Sequence, residues 1–193
     1  MEDVIDQILA DTWRRQQLNE GRWSGPVTLT LADLGAQTVG EVGPLVIDGL
    51  GGDPSSRWSA EGTRSYILAA AKGIAAAGFL RAAGIIAGRA GGLDDALQGV
   101  GDVLNLTPGQ MVNTAANFAA VDAGERVGAV RKQWVASSSR DPRPDHAAMG
   151  GEEAPIAGSF SNGLRFPGSN GPPAETANCQ CSVVIVKEDA DAA

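Results

Sequence analysis

The run from Ser59 to Ala90 leaves this chain the least conformational freedom. It is dense in alanine, carries scattered isoleucine, leucine and glycine, and contains no proline. Alanine has the highest helix propensity and offers a strand almost nothing to pack. The segment therefore predicts a single helix, capped by Ser59 and stopped at Gly91-Gly92. At about 100° per residue, Arg64, Lys72 and Arg89 share one side. Gly73, Gly84 and Gly88 share the opposite side, where small residues let another helix approach closely. The basic edge suits solvent, or a large partner on which the helix docks. A bilayer span needs about 20 mostly apolar residues, and Lys72 and Arg81 interrupt this one, so membrane contact is not expected.

The flanking segments read as further helices. Residues 2–20 place Ile5, Ile8, Leu9, Thr12 and Trp13 on one side. Residues 21–58 are punctuated by glycine and proline. Val27–Leu31 reads as a short strand, followed by a helix from Thr30 or Asp33 to about Gly43-Pro44. The Gly49–Ser56 stretch is glycine-rich but has no lysine at phosphate-loop spacing, and reads as a connector. Residues 93–105 form a short helix. Thr107-Pro108-Gly109-Gln110 then has the form of a new helix start, with a threonine cap and proline in first position. That helix runs to about Gly128 and buries Met111, Ala115, Phe118 and Ala119. Asn113, Thr114 and Asn117 face other elements.

Beyond it the texture changes. Trp134–Ser137 reads as a strand. Asp141-Pro142 opens a helix carrying His146 and Met149. Asn162-Gly163 between Phe160 and Phe166 reads as a hairpin turn. Pro167–Pro173 is an irregular loop, and Cys179–Val186 is the last strand. The acidic residues 188–193 form a tail. The fold class expected is α+β: a helical region over 1–106, then a small mixed module with a short antiparallel sheet over 107–187.

This module contains the only histidine and both cysteines of the protein. Two cysteines one residue apart do not make a secreted disulfide framework. On a strand their Cα atoms lie about 6–7 Å apart, at the far limit for a disulfide and wrongly directed. Three readings follow for His146, Cys179 and Cys181. They pack and hydrogen-bond as core residues. They bind zinc, if the chain curls at Cys179, with Asp145 or Asp141 as fourth ligand. Or a cysteine acts as a nucleophile with His146 as base and Asp145 as its orienter.

The net charge of −8 disfavours nucleic-acid binding over the whole surface. Local cations remain: Arg126, Arg131, Lys132, Arg140 and Arg143 outnumber Asp141 and Asp145 along one segment. They form a solvated face or a contact for phosphates or an acidic partner, together with Arg64, Lys72 and Arg89. The N-terminus lacks the basic-then-apolar pattern of a signal peptide, so a cytoplasmic origin is expected.

The order Trp134, Arg140-Asp-Pro-Arg-Pro-Asp-His146, Gly150-Gly151, Phe160, Gly163, Phe166-Pro167-Gly168, Asn178-Cys-Gln-Cys181 resembles the phage Mu F-like family of minor head proteins. The likeness covers residues 107–186. It implies a minor capsid protein near the portal, acting in head assembly, DNA packaging or ejection, in the virion and in the host cytoplasm during assembly. It implies portal and other head proteins as partners, packaged DNA as a further contact, no small-molecule substrate and no catalytic activity. A DNA-contacting ejection protein and a His/Cys hydrolase or nuclease are the rival readings.

Overall fold

The computed structural model describes residues 20–55, 60–87, 93–139 and 142–186. The helix expected over 2–20, the Ser59 cap, the Gly91-Gly92 stop, the tail, Arg89, Arg140 and Asp141 lie outside them. Three long helices come first: α1 (Glu20–Gly49), α2 (Ala60–Ala87) and α3 (Leu93–Arg126). Then follow β1 (Arg131–Val135), α4 (Pro144–Ala148), β2 (Glu153–Pro155), α5 (Pro173–Thr176) and β3 (Ser182–Val186). The architecture is α+β, with a helical N-terminal part and one small antiparallel sheet.

Two long helices depart from the sequence expectation. The strand expected at Val27–Leu31 and the helix end at Gly43-Pro44 are both absorbed into α1. Thr28, Leu31, Gly35, Val39, Gly43 and Ile47 are buried, three or four residues apart, with Thr38 buried beside Val39. That spacing is a helical stripe, and it outweighs the local preference of glycine and proline for turns. The start expected at Thr107-Pro108 likewise lies inside α3. Proline in a helix interior removes one hydrogen bond, a cost offset here by packing on both sides of the helix. The division expected between residues 106 and 107 therefore falls within a helix.

Helix α3 is the axis of the molecule. Its middle is buried nearly all round, from Met111 through Ala115, Ala119, Val121 and Ala123. One side meets α1 and α2, and the other meets the sheet. Tyr66 of α2 stacks on Phe118 at 4.2 Å, and Phe166 sets its edge against both rings at 5.8 and 6.2 Å. Three aromatic rings thus join helices and module in one core. The glycine side of α2 is not what packs: Gly73 and Gly84 are exposed, and Ile67, Ala71, Ile74 and Ala75 are buried instead.

The sheet order is β2-β1-β3, antiparallel throughout. Lys132 pairs with both Ala154 and Ile185, and Trp134 pairs with Val183. The first strand begins at Arg131, three residues earlier than expected. The expected strands around Asn162-Gly163 do not form. Gly163 does take the left-handed conformation of a tight turn, with its N–H donating to the Phe160 carbonyl. The sheet edge is instead Glu153-Ala154-Pro155, too short and too polar to show a strand alternation. An edge is also where a strand tolerates proline.

Candidate functional site

His146, Cys179 and Cys181 come together between α3, α4 and the approach to β3. The last strand starts at Ser182, so both cysteines precede it instead of lying on it. Two causes are visible. Asn178 adopts a left-handed conformation, φ 53°, which curls the chain just ahead of Cys179. The carbonyls that a sheet neighbour would have bound are taken by α3. Asn113 Nδ2 donates to the carbonyls of Cys179 (2.9 Å) and Cys181 (3.1 Å). Asn117 Nδ2 donates to those of Cys181 and Pro167 (3.0 Å each), and its Oδ1 accepts from the Val183 N–H at 2.9 Å. Gln110 Nε2 reaches the Thr176 carbonyl at 3.2 Å, and Arg143 donates to that of Ala177.

Helix α4 brings His146 to the same place. Its ring lies against Trp134 edge to face at 5.2 Å, and Trp134 of β1 is itself completely buried. The Nδ1 atom faces the sulfurs of Cys179 at 3.6 Å and Cys181 at 3.7 Å. The Nε2 atom faces a carboxylate oxygen of Glu175 on α5 at 3.1 Å, and Asn162 Nδ2 holds the same oxygen at 3.1 Å. With Nε2–H donating to Glu175, Nδ1 presents its lone pair to the two sulfurs. The three donor atoms lie within 4.8 Å of one another, and all three residues are buried.

The thiols do not behave as two independent groups. The contact with Cys179 pulls the Cys181 thiol below its ordinary range, against burial. The same contact and the burial push Cys179 up. The two thiols therefore titrate as a pair. Chemically this is a set of three soft-to-borderline donors around one point.

Of the cysteine-nucleophile reading, the Cys–His proximity is present, but Cys179 and Cys181 are only 5% and 3% exposed. Asp145 does not reach the ring as an orienter: its Oδ1 accepts from the backbone N–H of His146, and Asp145 groups with the histidine and Glu175, away from the sulfurs. Glu175 occupies the orienting position and was not legible in the sequence. Its one local signal is the Pro172-Pro173 helix start just ahead of the cysteines.

The cations read along the sequence separate once folded. Arg64 and Lys72 are exposed on α2. Arg131 pairs with Glu153 at 2.7 Å. Arg143 is spent on the chain leading to the cysteines. Lys132, expected at a partner or DNA contact, is completely buried. Its ammonium donates to the carbonyls of Ile156 (2.7 Å) and Gly158 (2.6 Å) and lies 5.4 Å from the Phe160 ring. Strand alternation points Lys132 to the same side as Trp134, so it is a core residue.

No family model, no curated protein and no solved structure matches this chain. Among the described residues, no helix is long and apolar enough to cross a membrane.

Proposed function

We propose that the chain is a structural minor head protein of a tailed phage, of the Mu F-like kind, which docks at the portal and acts in head assembly, packaging or ejection without catalysing a reaction. One observation carries this reading: the residues of the motif line the inside of the module. Trp134, His146, Phe160, Phe166, Cys179 and Cys181 are all buried, and Gly151, Gly163 and Gly168 take the left-handed conformations that its turns require. Groups placed this way hold a fold together; groups that act on a substrate must meet it. The resemblance along residues 107–186 supplies the identity of the assembly.

Docking falls to the helices. Arg64 and Lys72 are exposed, as are Leu29, Leu45 and Leu80. With Lys132 buried and Arg131 and Arg143 engaged, few of the cations read from the sequence remain for DNA. An ejection protein that grips DNA would show an affinity falling steeply with salt, by about 0.9 in log–log slope for each phosphate neutralised.

The test is co-expression of the full chain with the portal and major capsid proteins of the same phage, followed by sedimentation. The chain is expected with portal rings and within assembled heads. Absence from both, with heads that package and infect normally when the chain is omitted, ends the reading. So does turnover of a substrate that disappears in His146→Ala.

A further inference from the structure

The geometry points to a zinc site in this protein, with His146 Nδ1 and the sulfurs of Cys179 and Cys181 as ligands and Glu175 as the carboxylate that positions the imidazole. The inference stands independently of the phage reading.

Distances decide between metal and hydrogen bonding. Zinc binds sulfur at about 2.3 Å and imidazole nitrogen at about 2.0–2.1 Å in tetrahedral geometry. Two such bonds opened to a tetrahedral angle put nitrogen and sulfur about 3.6 Å apart. The observed separations are 3.6 and 3.7 Å. An imidazole Nδ1 has a single in-plane lone pair and accepts one well-aligned S–H. Two sulfurs at equal distance from it are one too many for hydrogen bonding, but suit an ion placed on that lone pair.

The surroundings match as well. A metal-bound histidine commonly donates its other ring N–H to a carboxylate, which fixes tautomer and orientation. Glu175 stands at that position and is itself held by Asn162. The carbonyls on either side of the ligands are tied to α3 through Asn113 and Asn117, so the CxC turn is held in its ligating shape. This answers the narrow spacing: one residue between cysteines suffices because the chain curls at Asn178 and does not run on as a strand. Thiolate donors select zinc over hard cations such as magnesium or calcium. Binding releases the thiol protons, and two thiolates neutralise the ion. Among the described residues no fourth Cys, His or carboxylate joins these three, so one coordination position is left to another donor.

The full chain, purified under reducing conditions, loaded with zinc chloride and dialysed, tests this. About one zinc per chain is expected by elemental analysis. Alkylation of both thiols, followed in a urea concentration that opens the module locally, should be slower in the loaded protein than after chelation. Cobalt loading should give thiolate-to-cobalt charge-transfer absorption, absent in Cys181→Ser and Cys179→Ser. Glu175→Gln should keep the ion with roughly 10- to 100-fold lower affinity. Because substituted chains can fail to fold, thiol protection and the cobalt spectrum of the unsubstituted chain decide by themselves. Alkylation that is indifferent to zinc, no thiolate band with cobalt, or a Cys179–Cys181 disulfide in the reduced preparation overturns the site. Zinc retained at full affinity in folded His146→Ala or Cys181→Ser does so too.

Discussion

Asn117 shows how much one side chain can organise. Fully inside the core, it answers two carbonyls and one N–H on the far segment, Pro167, Cys181 and Val183. Asn117→Ala strands buried backbone groups, at about 1–3 kcal/mol each where no other donor remains. Cys181 keeps Asn113 as a second donor, so a total loss of about 2–4 kcal/mol is expected in urea unfolding. Asn117→Asp is expected to be worse than alanine at neutral pH, since a carboxylate then faces two carbonyls. Acidification should narrow that gap, because the folded state raises the pKa of the new acid and binds its proton more readily. Lys132 makes the opposite kind of contribution. Burial is the main reason its ammonium is held down to about 8, from an ordinary 10.5, with Arg165 adding to it. The unfolded chain then binds more protons between these values, so stability relative to Lys132→Met should rise with pH across that window. The neutral amine still has two N–H donors for Ile156 and Gly158. Lys132→Met leaves both carbonyls unanswered and should cost about 2–4 kcal/mol at pH 7. A loss below about 0.5 kcal/mol would show that the carbonyls find other donors.

At the scale of elements, α3 carries two local conflicts with opposite outcomes. Pro108 is exposed inside the helix and has no backbone N–H to donate. Since its ring is not packed, Pro108→Ala should restore one hydrogen bond and stabilise the protein by about 1–3 kcal/mol, read as a higher melting temperature. Gly124, near the C-terminal end of α3, behaves differently. A Cβ there would stand 3.1 Å from Ile185 and 3.2 Å from Ile156. The sheet sits directly on this glycine, so Gly124→Val should cost about 1–3 kcal/mol through overpacking, despite removing a flexible residue. Wild-type stability in Gly124→Val would mean that β3 shifts freely on α3. The misread helices follow from the same physics. Gly43-Pro44 and Thr107-Pro108 are turn signals over four residues, but the stripe from Thr28 to Ile47 acts over twenty and prevails.

For the whole molecule, the buried residues of α1, α2, α3 and the sheet belong to one cluster, and α3 belongs to both halves of it. Calorimetry should therefore show a single transition, with calorimetric and van't Hoff enthalpies equal. Chains cut between residues 106 and 107 should fail to fold separately, because the cut divides α3 and uncovers its apolar middle. Two independent transitions, or two folded fragments, would contradict this.

Local sequence was sufficient where the cause is local. Alanine from Ala60 to Ala87 made a helix, Asn162-Gly163 made a turn, and the polar positions 113, 114 and 117 of α3 faced other elements. The Cys-x-Cys pair and the lone histidine were also legible as one candidate group, and the fold brings their donor atoms within 4.8 Å of one another. What depended on distant parts of the chain was not legible. Glu175 is an ordinary surface acid until α5 places it 3.1 Å from His146. Lys132 is an ordinary cation until strand alternation turns it inward beside Trp134. The cysteines left the strand because Asn113 and Asn117, more than sixty residues earlier, bind their carbonyls. Hydrogen bonds and burial act between whichever groups packing brings together, and that pairing is a property of three-dimensional arrangement, not of neighbours along the chain.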